Sequence, residues 1–595
     1  MNKNVSPPVV YATALVLAAC SLLYELLIAQ TLSILAANTV VWYSVTIGVY
    51  LASMGLGALI HYRFATGDLW SRLFRVEVLL SIVGALAIPI LHLTHTSAVL
   101  IGISDISFVE PGILSGAVFF GTAFILTALI GILTGFELPL LIDLGNAAAS
   151  ETRVTNRVLA ADYMGSLLAG LIFPLLLVPF LGLIVIGLLT AGVNLLVALI
   201  ALRWTTPNPE RPKFRLAVGG SVAGAILLAL FFVQPIQQYF VKNYYFYLEF
   251  SDDYATLFGS MKNADDVLRE LSPYQRIDLI HDKVGYENDK LINYYSTKFT
   301  SNPEQPRNRT LFLNGDFQVT SNFEEYYHEF FAHLPIATHG SAPRRVLVMG
   351  AGDGLLIREL VKYPEIEQIV HVDLDGKLVE MARTHPVLSV MNEGALEDPR
   401  VDIHFDDAYR FIRNSSDTFD AIYLDFPYVK DYNVSKLYSK EFLHFARQRL
   451  APDGFLVFDS PGLDLPSEIR KIYLNTVWAA GFRFLKPFVP TIEKVNKPAM
   501  AMLLDSGHDH QEARRILGGH WWAVRHPFVI ARNSAPKAAP YLDPNIRMHV
   551  LNEERLRLTL KQRPILLKRI DPTKVNSIFK PTLPIGDIWD IRSAW

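Results

Sequence analysis

What this chain can fold into is limited first by a series of apolar runs in its N-terminal part. They fall near 8–30, 39–62, 76–94, 113–136, 158–181, 183–202 and 215–233, and crossing a bilayer takes about 20 helical residues. Charge is partitioned to match. Residues 1–233 hold 20 Lys, Arg, Asp and Glu, whereas the other 362 residues hold 91. Two solvents are implied, so a single water-soluble globule is excluded. A disordered chain is excluded too, because 51% of the residues are hydrophobic. The first run is long and is followed by further spans, so it reads as a retained helix and not as a cleaved signal. Small residues recur where helices would touch, as at Gly55 and Gly57 or Gly165 and Ser166. Residues 1–233 therefore read as a multi-pass transmembrane domain of about seven helices.

Basic residues cluster in alternate loops: Arg63, Arg72 and Arg75, then Arg153 and Arg157, then Arg203, Arg211, Lys213 and Arg215. The positive-inside rule puts those loops in the cytoplasm. An odd number of spans then delivers the rest of the chain to the other face, unless Pro139 splits the fourth run into two segments. Glu25, Glu77, Glu137, Asp143 and Asp162 lie within or beside the apolar runs. An ionisable group in hydrocarbon costs about 2.5–3.5 kcal/mol on insertion, so these acids either line a pocket or path for a cation, or make helix-to-helix hydrogen bonds or snorkel to the interface. The single cysteine, Cys20, excludes an internal disulfide and any cysteine-built metal cluster. A net charge of −3 gives no reason to expect nucleic acid as a partner.

Past 233 the texture changes. Residues 234–269 read as an aromatic-rich linker, suited to a membrane boundary or to an extended strand, and "KNADDVLREL" near 262–271 reads as an amphipathic helix. Residues 270–335 read as a small β domain, with "YQRIDLIHD", "KLINYYST" and "RTLFLNGDFQV" as strands and a helix in "SNFEEYYHEFFAHLPIATH". From 336 to 505 strands and helices alternate: "RRVLVMG", "IEQIVHVDLD", "VDIHFDD", "FDAIYLDF" and "GFLVFDS" are the strands. That pattern predicts a doubly wound, Rossmann-like α/β domain of the methyltransferase type, which binds ligand at the carboxyl ends of its strands. Residues 506–595 read as a C-terminal extension, in which "HWWAVRHPFVIARN" is a lid or a packing segment and "RLRLTLKQRPILLKR" a solvated helix face or, less in keeping with its pattern, a contact with acidic lipid.

The strand ends carry, in order, Gly350, Gly352, Asp353 and Gly354; Asp373 with Asp375; Asp406 with Asp407; and Asp425. "GAGDG" lacks the full dinucleotide spacing and sets Asp353 where a pyrophosphate would lie. A carboxylate there repels phosphate and attracts a cation. Asp373 follows Gly350 by 23 residues, near the spacing of about 20 expected of an acid on ribose hydroxyls. A nucleoside without phosphates and with positive charge fits both acids, and adenosyl sulfonium compounds are such ligands. Taken singly, each aspartate could instead cap a helix. His371, His385 and His404 lack metal-ligand spacing and read as core or surface residues.

"YQRIDLI", "LFLNGDFQ", "EYYHEFFAHLP", "VLVMGAGDGLLIREL", "DPRVDIHFDDAYRFI" and "FDAIYLDF…KLYSKEF" resemble, in order, the motifs of the spermidine synthases, the polyamine aminopropyltransferases. "CSLLYELLIAQTLSIL", "SVTIGVYLASMGLGAL" and "RVLAADYMGSLLAG" are similar to the N-terminal region of that family's integral-membrane branch. The resemblance implies a membrane-anchored enzyme that moves an aminopropyl group from decarboxylated S-adenosylmethionine to an amine and releases methylthioadenosine. The nucleoside is then a co-substrate, with no tightly bound cofactor and no metal. The resemblance also implies roles. Gln275, Leu313 and Gln318 line the nucleoside pocket with the glycine turn, Asp373 holds the ribose, and Asp407 and Ala408 lie beside the adenine. Asp353 binds the donor's ammonium, Tyr327 and His328 flank the donor and the attacking amine, and Asp425 orients and deprotonates that amine. A cytoplasmic catalytic domain and a homo-oligomer are implied as well.

The chemistry agrees with these roles. Neutralising an alkyl ammonium of pKa about 10.4 at pH 7 costs about 4.6 kcal/mol, which a positioned carboxylate offsets. A sulfonium already leaves readily, so alignment is the main task. One departure concerns the acceptor. The family usually shows Asp-x-x-Asp, and here the second acid is replaced by Tyr428, while Asn314 stands where an aspartate is common. Weak use of putrescine, and a longer polyamine or an amine presented at the membrane as acceptor, are expected. The alternatives are a methyltransferase using S-adenosylmethionine, and a polyamine transporter or sensor that binds without turnover.

Overall fold

The computed structural model describes residues 6–36, 39–64, 67–103, 111–148, 153–205, 212–250, 258, 261–262, 266–281, 309–321, 324–427, 429, 432–459, 467–490, 527–535, 539–561 and 571–583. Two compact units divide the chain, Met1–Lys262 and Asn263–Gly586.

In the first unit the described residues are helical apart from short turns: α1 Pro7–Ala36, α2 Thr39–Ile60, α3 Leu69–Ile103, α4 Pro111–Ala148, α5 Val154–Ile172, α6 Leu183–Ala201, α7 Pro212–Phe231 and α8 Val233–Phe250. Seven of its helices are long and apolar enough to cross a membrane. Helix α4 runs unbroken through Pro139, so the split considered there does not occur; within a helix bundle, neighbouring groups and small local adjustments absorb the lost backbone bond. Helix α8 forms where a linker or strand was expected. It packs on α3, with Thr96 donating to Asn243 Oδ1 at 2.7 Å and Phe240 against His92. Helices α2 and α4 touch backbone to backbone, since a Cβ on Gly57 or Gly135 would lie 2.2 Å from a carbonyl oxygen of the other helix. The outward faces are bare hydrocarbon: Leu59 is 72% exposed, Ile125 69%, Phe180 77% and Phe231 78%.

The second unit holds a small sheet and a large one. The small sheet is antiparallel in the order β1 (Leu268–Leu271), β2 (Arg276–His281), β3 (Arg309–Leu313), β4 (Asp316–Thr320). Residues 268–271 are thus a strand, not the helix expected at 262–271. Pairing with β2 wins because it lets Arg269 reach the buried Asp278 at 2.6 Å, which Arg276 also binds at 2.8 Å. The strand expected in "KLINYYST" lies outside the described residues.

The large sheet comprises β5 Arg345–Gly350, β6 Gln368–Asp373, β7 Val401–Phe405, β8 Phe419–Asp425, β9 Leu450–Asp459, β10 Phe484–Phe488 and β11 Phe528–Arg532. Its order is β10-β11-β9-β8-β5-β6-β7, parallel from β9 to β7 and antiparallel at β10 and β11. Buried on both faces, β5 and β6 read as continuous apolar runs. The described residues beyond 505 do not stand apart as an extension: β11 lies inside this sheet, completing its hydrogen bonding between β9 and β10. Tyr541 N–H donates to Ala337 at 3.0 Å on helix α9 (Glu324–His339), and Asn576 binds the Ser435 and Tyr438 carbonyls. Helices α10 (Leu355–Val361), α11 (Gly376–Thr384) and α12 (Ala408–Asn414) follow β5, β6 and β7. Register pairs Gly350 with Asp425 and Asp373 with Phe405, so the strands bearing the sequence-marked acids end level with one another.

Candidate active site

The turn after β5 is what draws the strand ends together. Gly350, Ala351 and Gly354 have φ of 82°, 61° and 79°, a region that costs a residue with a Cβ. Space is as restrictive as conformation. A Cβ on Gly350 would lie 2.0 Å from the Asp425 carbonyl oxygen, and one on Gly352 would lie 2.8 Å from Asp373 Oδ2. These glycines therefore let the β5 turn close onto the ends of β8 and β6 at once.

Three carboxyls meet around that turn. Asp353 Oδ1 accepts the Leu355 N–H at 3.0 Å, at the start of α10. Asp373 is buried and accepts the Asp375 N–H at 2.7 Å. Burial pushes its pKa up to about 7, opposed by that amide and reinforced by the charges of Asp375, Asp353 and Asp425. Asp425 is half-buried and accepts the Tyr327 hydroxyl at 2.6 Å. Burial and the charge of Asp353 push it up to about 6, against the Tyr327 hydrogen bond and the charge of His328. Carboxyls crowded in this way are relieved by a cation.

Tyr327 and His328 are held from behind by a buried ion network. Their rings meet edge to face at 5.0 Å, and His328 Nδ1 lies 2.9 Å from Glu324 Oε2. Burial pulls His328 down, but Glu324 and Asp353 outweigh it and leave the imidazole raised. Glu324 is gripped by both terminal nitrogens of Arg358, at 2.6 and 2.9 Å, and Arg358 Nε reaches Glu359 at 2.8 Å. Glu359 then meets His333 at 2.7 Å and Lys362 at 2.6 Å. Glu329, also on α9, accepts backbone N–H groups from His549, Val550 and Leu551. Sequence reasoning missed this network; the visible signal was a run of acids and histidines in an otherwise apolar helix.

The remaining expected site residues fare unequally. Gln275 spends its amide on Asp375 Oδ2 at 2.7 Å, beside Ser272 at 2.8 Å, which ties the small sheet to the end of β6. Leu313 packs against the cluster that holds Leu355 and Leu378. The Gln318 hydrogen bond stays within its own strand, to the Asp316 carbonyl at 3.3 Å. Asp407 caps α12 through the Arg410 N–H at 3.0 Å and takes the Lys436 ammonium at 2.6 Å. Burial raises it, but Lys436 and the cap outweigh that and hold it below the usual carboxylate range. Ala408 is buried, Asp406 pairs with Arg410, and Tyr428 lies outside the described residues. His371 is a core residue with Nε2 2.8 Å from the Gly350 carbonyl, and His404 pairs with Asp402 at the surface.

One acid was overlooked. Asp459, buried at the end of β9, follows the Leu424–Phe458 pair of β8 and β9, and its charge acts on Asp425. The same strand-end rule that marked the other acids would have found it.

A doubly wound sheet whose glycine turn gathers acids in place of a phosphate site offers a setting for a cation at its strand ends. Comparison with known proteins supplies the class. The spermine/spermidine synthase domain matches residues 324–511. Polyamine aminopropyltransferase 2 of Streptomyces coelicolor is 30% identical over 563 residues, 92% of this chain and 89% of that protein. The polyamine aminopropyltransferase of Leptospira interrogans is 28% identical over 76% of this chain and 78% of that protein. Among solved structures, a spermidine synthase in complex with the transition state analogue AdoDATO is 20% identical, with a TM-score of 0.38 over 50% of this chain and 85% of that one. The chain belongs to the polyamine aminopropyltransferase family and is an enzyme of that class, transferring an aminopropyl group.

Proposed function

We propose that this chain is a membrane-anchored aminopropyltransferase that uses decarboxylated S-adenosylmethionine and takes its acceptor's proton on Asp425. The observation that carries this reading is the convergence of Asp353, Asp373 and Asp425 on one glycine turn, with Tyr327 hydrogen-bonded to Asp425. Asp373 would hold the ribose hydroxyls and Asp353 the donor's ammonium. The acceptor nitrogen gives a proton to Asp425 and attacks the carbon next to the sulfonium. The carbon–sulfur bond breaks with its electron pair going to sulfur, and methylthioadenosine leaves. Alignment between fixed charges is the protein's main contribution.

Asp459 supports a role on the acceptor side. Lying one strand beyond Asp425, it supplies negative charge for a second ammonium where the family acid is replaced by Tyr428. That favours an acceptor longer than putrescine. Anchoring is supported by the seven long apolar helices and their exposed hydrocarbon faces. Supply of the donor favours a cytoplasmic catalytic unit. A second reading, with that unit on the opposite face, is favoured by seven spans combined with the basic loops. Protease accessibility of a tag after Trp595 in intact cells separates the two.

The catalytic reading is tested by supplying the purified chain with the decarboxylated donor and a panel of amines, and measuring methylthioadenosine. Release should depend on an amine and vanish in Asp425→Asn. Release from no amine, or an undiminished rate in Asp425→Asn, would refute it.

A further inference from the structure

The aminopropyl transfer leaves unused a group of polar side chains sealed inside the helical unit. Glu77 on α3, Glu137 on α4, Asn194 on α6 and Tyr24 on α1 are each at most 4% exposed. The carboxyls of Glu77 and Glu137 are hydrogen-bonded to each other. Asn194 Nδ2 donates to Glu77 Oε2 at 2.9 Å. Their charges reach Cys20 and Tyr24 on α1, that of Glu137 also reaches Tyr50 on α2, and the half-buried Asp162 on α5 acts on Glu137. No described lysine, arginine or histidine acts on either carboxyl. Two carboxyls bonded to each other without a counter-charge cannot both ionise, so the pair holds a proton between them.

The site also holds buried polar atoms that are not paired. Among the described residues, Glu77 Oε1, Asn194 Oδ1 and the Tyr24 hydroxyl have no partner although all are buried. A buried acceptor left unmade costs about 1–3 kcal/mol. A ligand that carries N–H donors and a positive charge suits the two bare acceptors, Glu77 Oε1 and Asn194 Oδ1, and the acid pair. A primary ammonium has three donors and no acceptor.

We infer that the helical unit contains a proton-for-ammonium exchange site, in which a primary amine cation replaces the proton shared by Glu77 and Glu137. Charge balances: one proton leaves as one ammonium enters, and the pair passes from singly to doubly ionised around the cation. Asp162, nearer the helix surface, is the next carboxyl along the proton's way out. The inference rests on the reading of these helices as membrane spans.

The test uses the full chain in lipid nanodiscs with Asp425→Asn, so that catalytic turnover contributes nothing. Propylamine and spermidine are titrated while proton release is followed with a dye in weak buffer and the protonated-carboxyl band by infrared spectroscopy. About one proton should leave per amine bound, one positive charge exchanging for another, and the band should fade as amine saturates. Glu137→Gln should abolish both responses and weaken amine binding at least about tenfold, as loss of a charge-assisted bond predicts. A band indifferent to amine in the unmodified helical unit overturns the site, whatever the variant does. An equal response to choline, which has no N–H donor, or to sodium overturns the ammonium assignment. Alkaline carbonate extraction reports separately on anchoring: a chain that stays in the membrane yet shows no release refutes the site alone.

Discussion

Replacing Tyr327 by Phe tests the proton-accepting role proposed for Asp425. The substitution keeps the ring, which packs 5.1 Å from Phe528 and 5.4 Å from Phe331, and removes the hydroxyl donated to Asp425 at 2.6 Å. That bond favours the ionised carboxylate. A hydrogen bond to a charged group is worth about 1.5–3 kcal/mol, and about 1.4 kcal/mol moves a pKa by one unit. Asp425, already pushed up to about 6, should rise by about one to two units. Since the base must be ionised to take a proton, the acid limb of kcat/KM for the amine should move from near pH 6 to about 7–8. The rate at pH 7 should fall about two- to tenfold and recover by about pH 9. Methylthioadenosine release across pH 5–9 with saturating donor measures this. A limb that stays in place, or moves to lower pH, would refute the assignment and point to His328, whose ionisation follows Glu324 instead.

Asp373→Asn should stabilise the ligand-free protein while weakening donor binding. Its folded pKa of about 7 lies above the usual 3.8, so the cost of ionising it is absent below about pH 4, grows as pH rises and is complete above about pH 7; thermal unfolding should show a gain of up to about 4 kcal/mol at pH 8 and little at pH 4. Arg358→Met leaves Glu324 and Glu359 buried without their shared cation and should cost about 3–5 kcal/mol, read as a lowered unfolding temperature of the catalytic unit. Gly350→Ala puts a Cβ 2.0 Å from the Asp425 carbonyl at φ 82° and should abolish methylthioadenosine release while circular dichroism stays near the parent's. Asp459→Asn should raise KM for a triamine about tenfold, the loss of one buried ionic contact, and leave KM for a monoamine unchanged in the same assay.

Where local pattern and tertiary demand coincide, the sequence was readable. Strands β5, β6 and β8 are buried on both faces, so composition alone announced them, and a glycine turn followed by an acid announced where the strand ends close together. The apolar helices were legible for the same reason, and Pro139 misled because a bundle supplies what an isolated helix would lack. Residues 268–271 look helical locally; the buried Asp278 that recruits Arg269 cannot be seen from "KNADDVLREL". β11 is five residues long, too short for its period to speak, and earns its place by pairing with β9 and β10 on either side. The Glu324–Arg358 pair spans 34 residues, and nothing in a single sequence links the two. Gln275 shows a subtler limit: its position was marked for the nucleoside, yet its amide is spent on Asp375.

The position of β11 has a consequence for biosynthesis. Phe484–Phe488 leaves the ribosome before Phe528–Arg532, yet can join the sheet only through it. Until that later stretch emerges, the edge of β9 stands open beside the aspartate at its tip, a template for wrong pairing on a nascent protein. Truncated translation products that stop short of residue 528 would still carry every helix of the first unit, but with an unfinished catalytic sheet, and quality-control proteases should clear them.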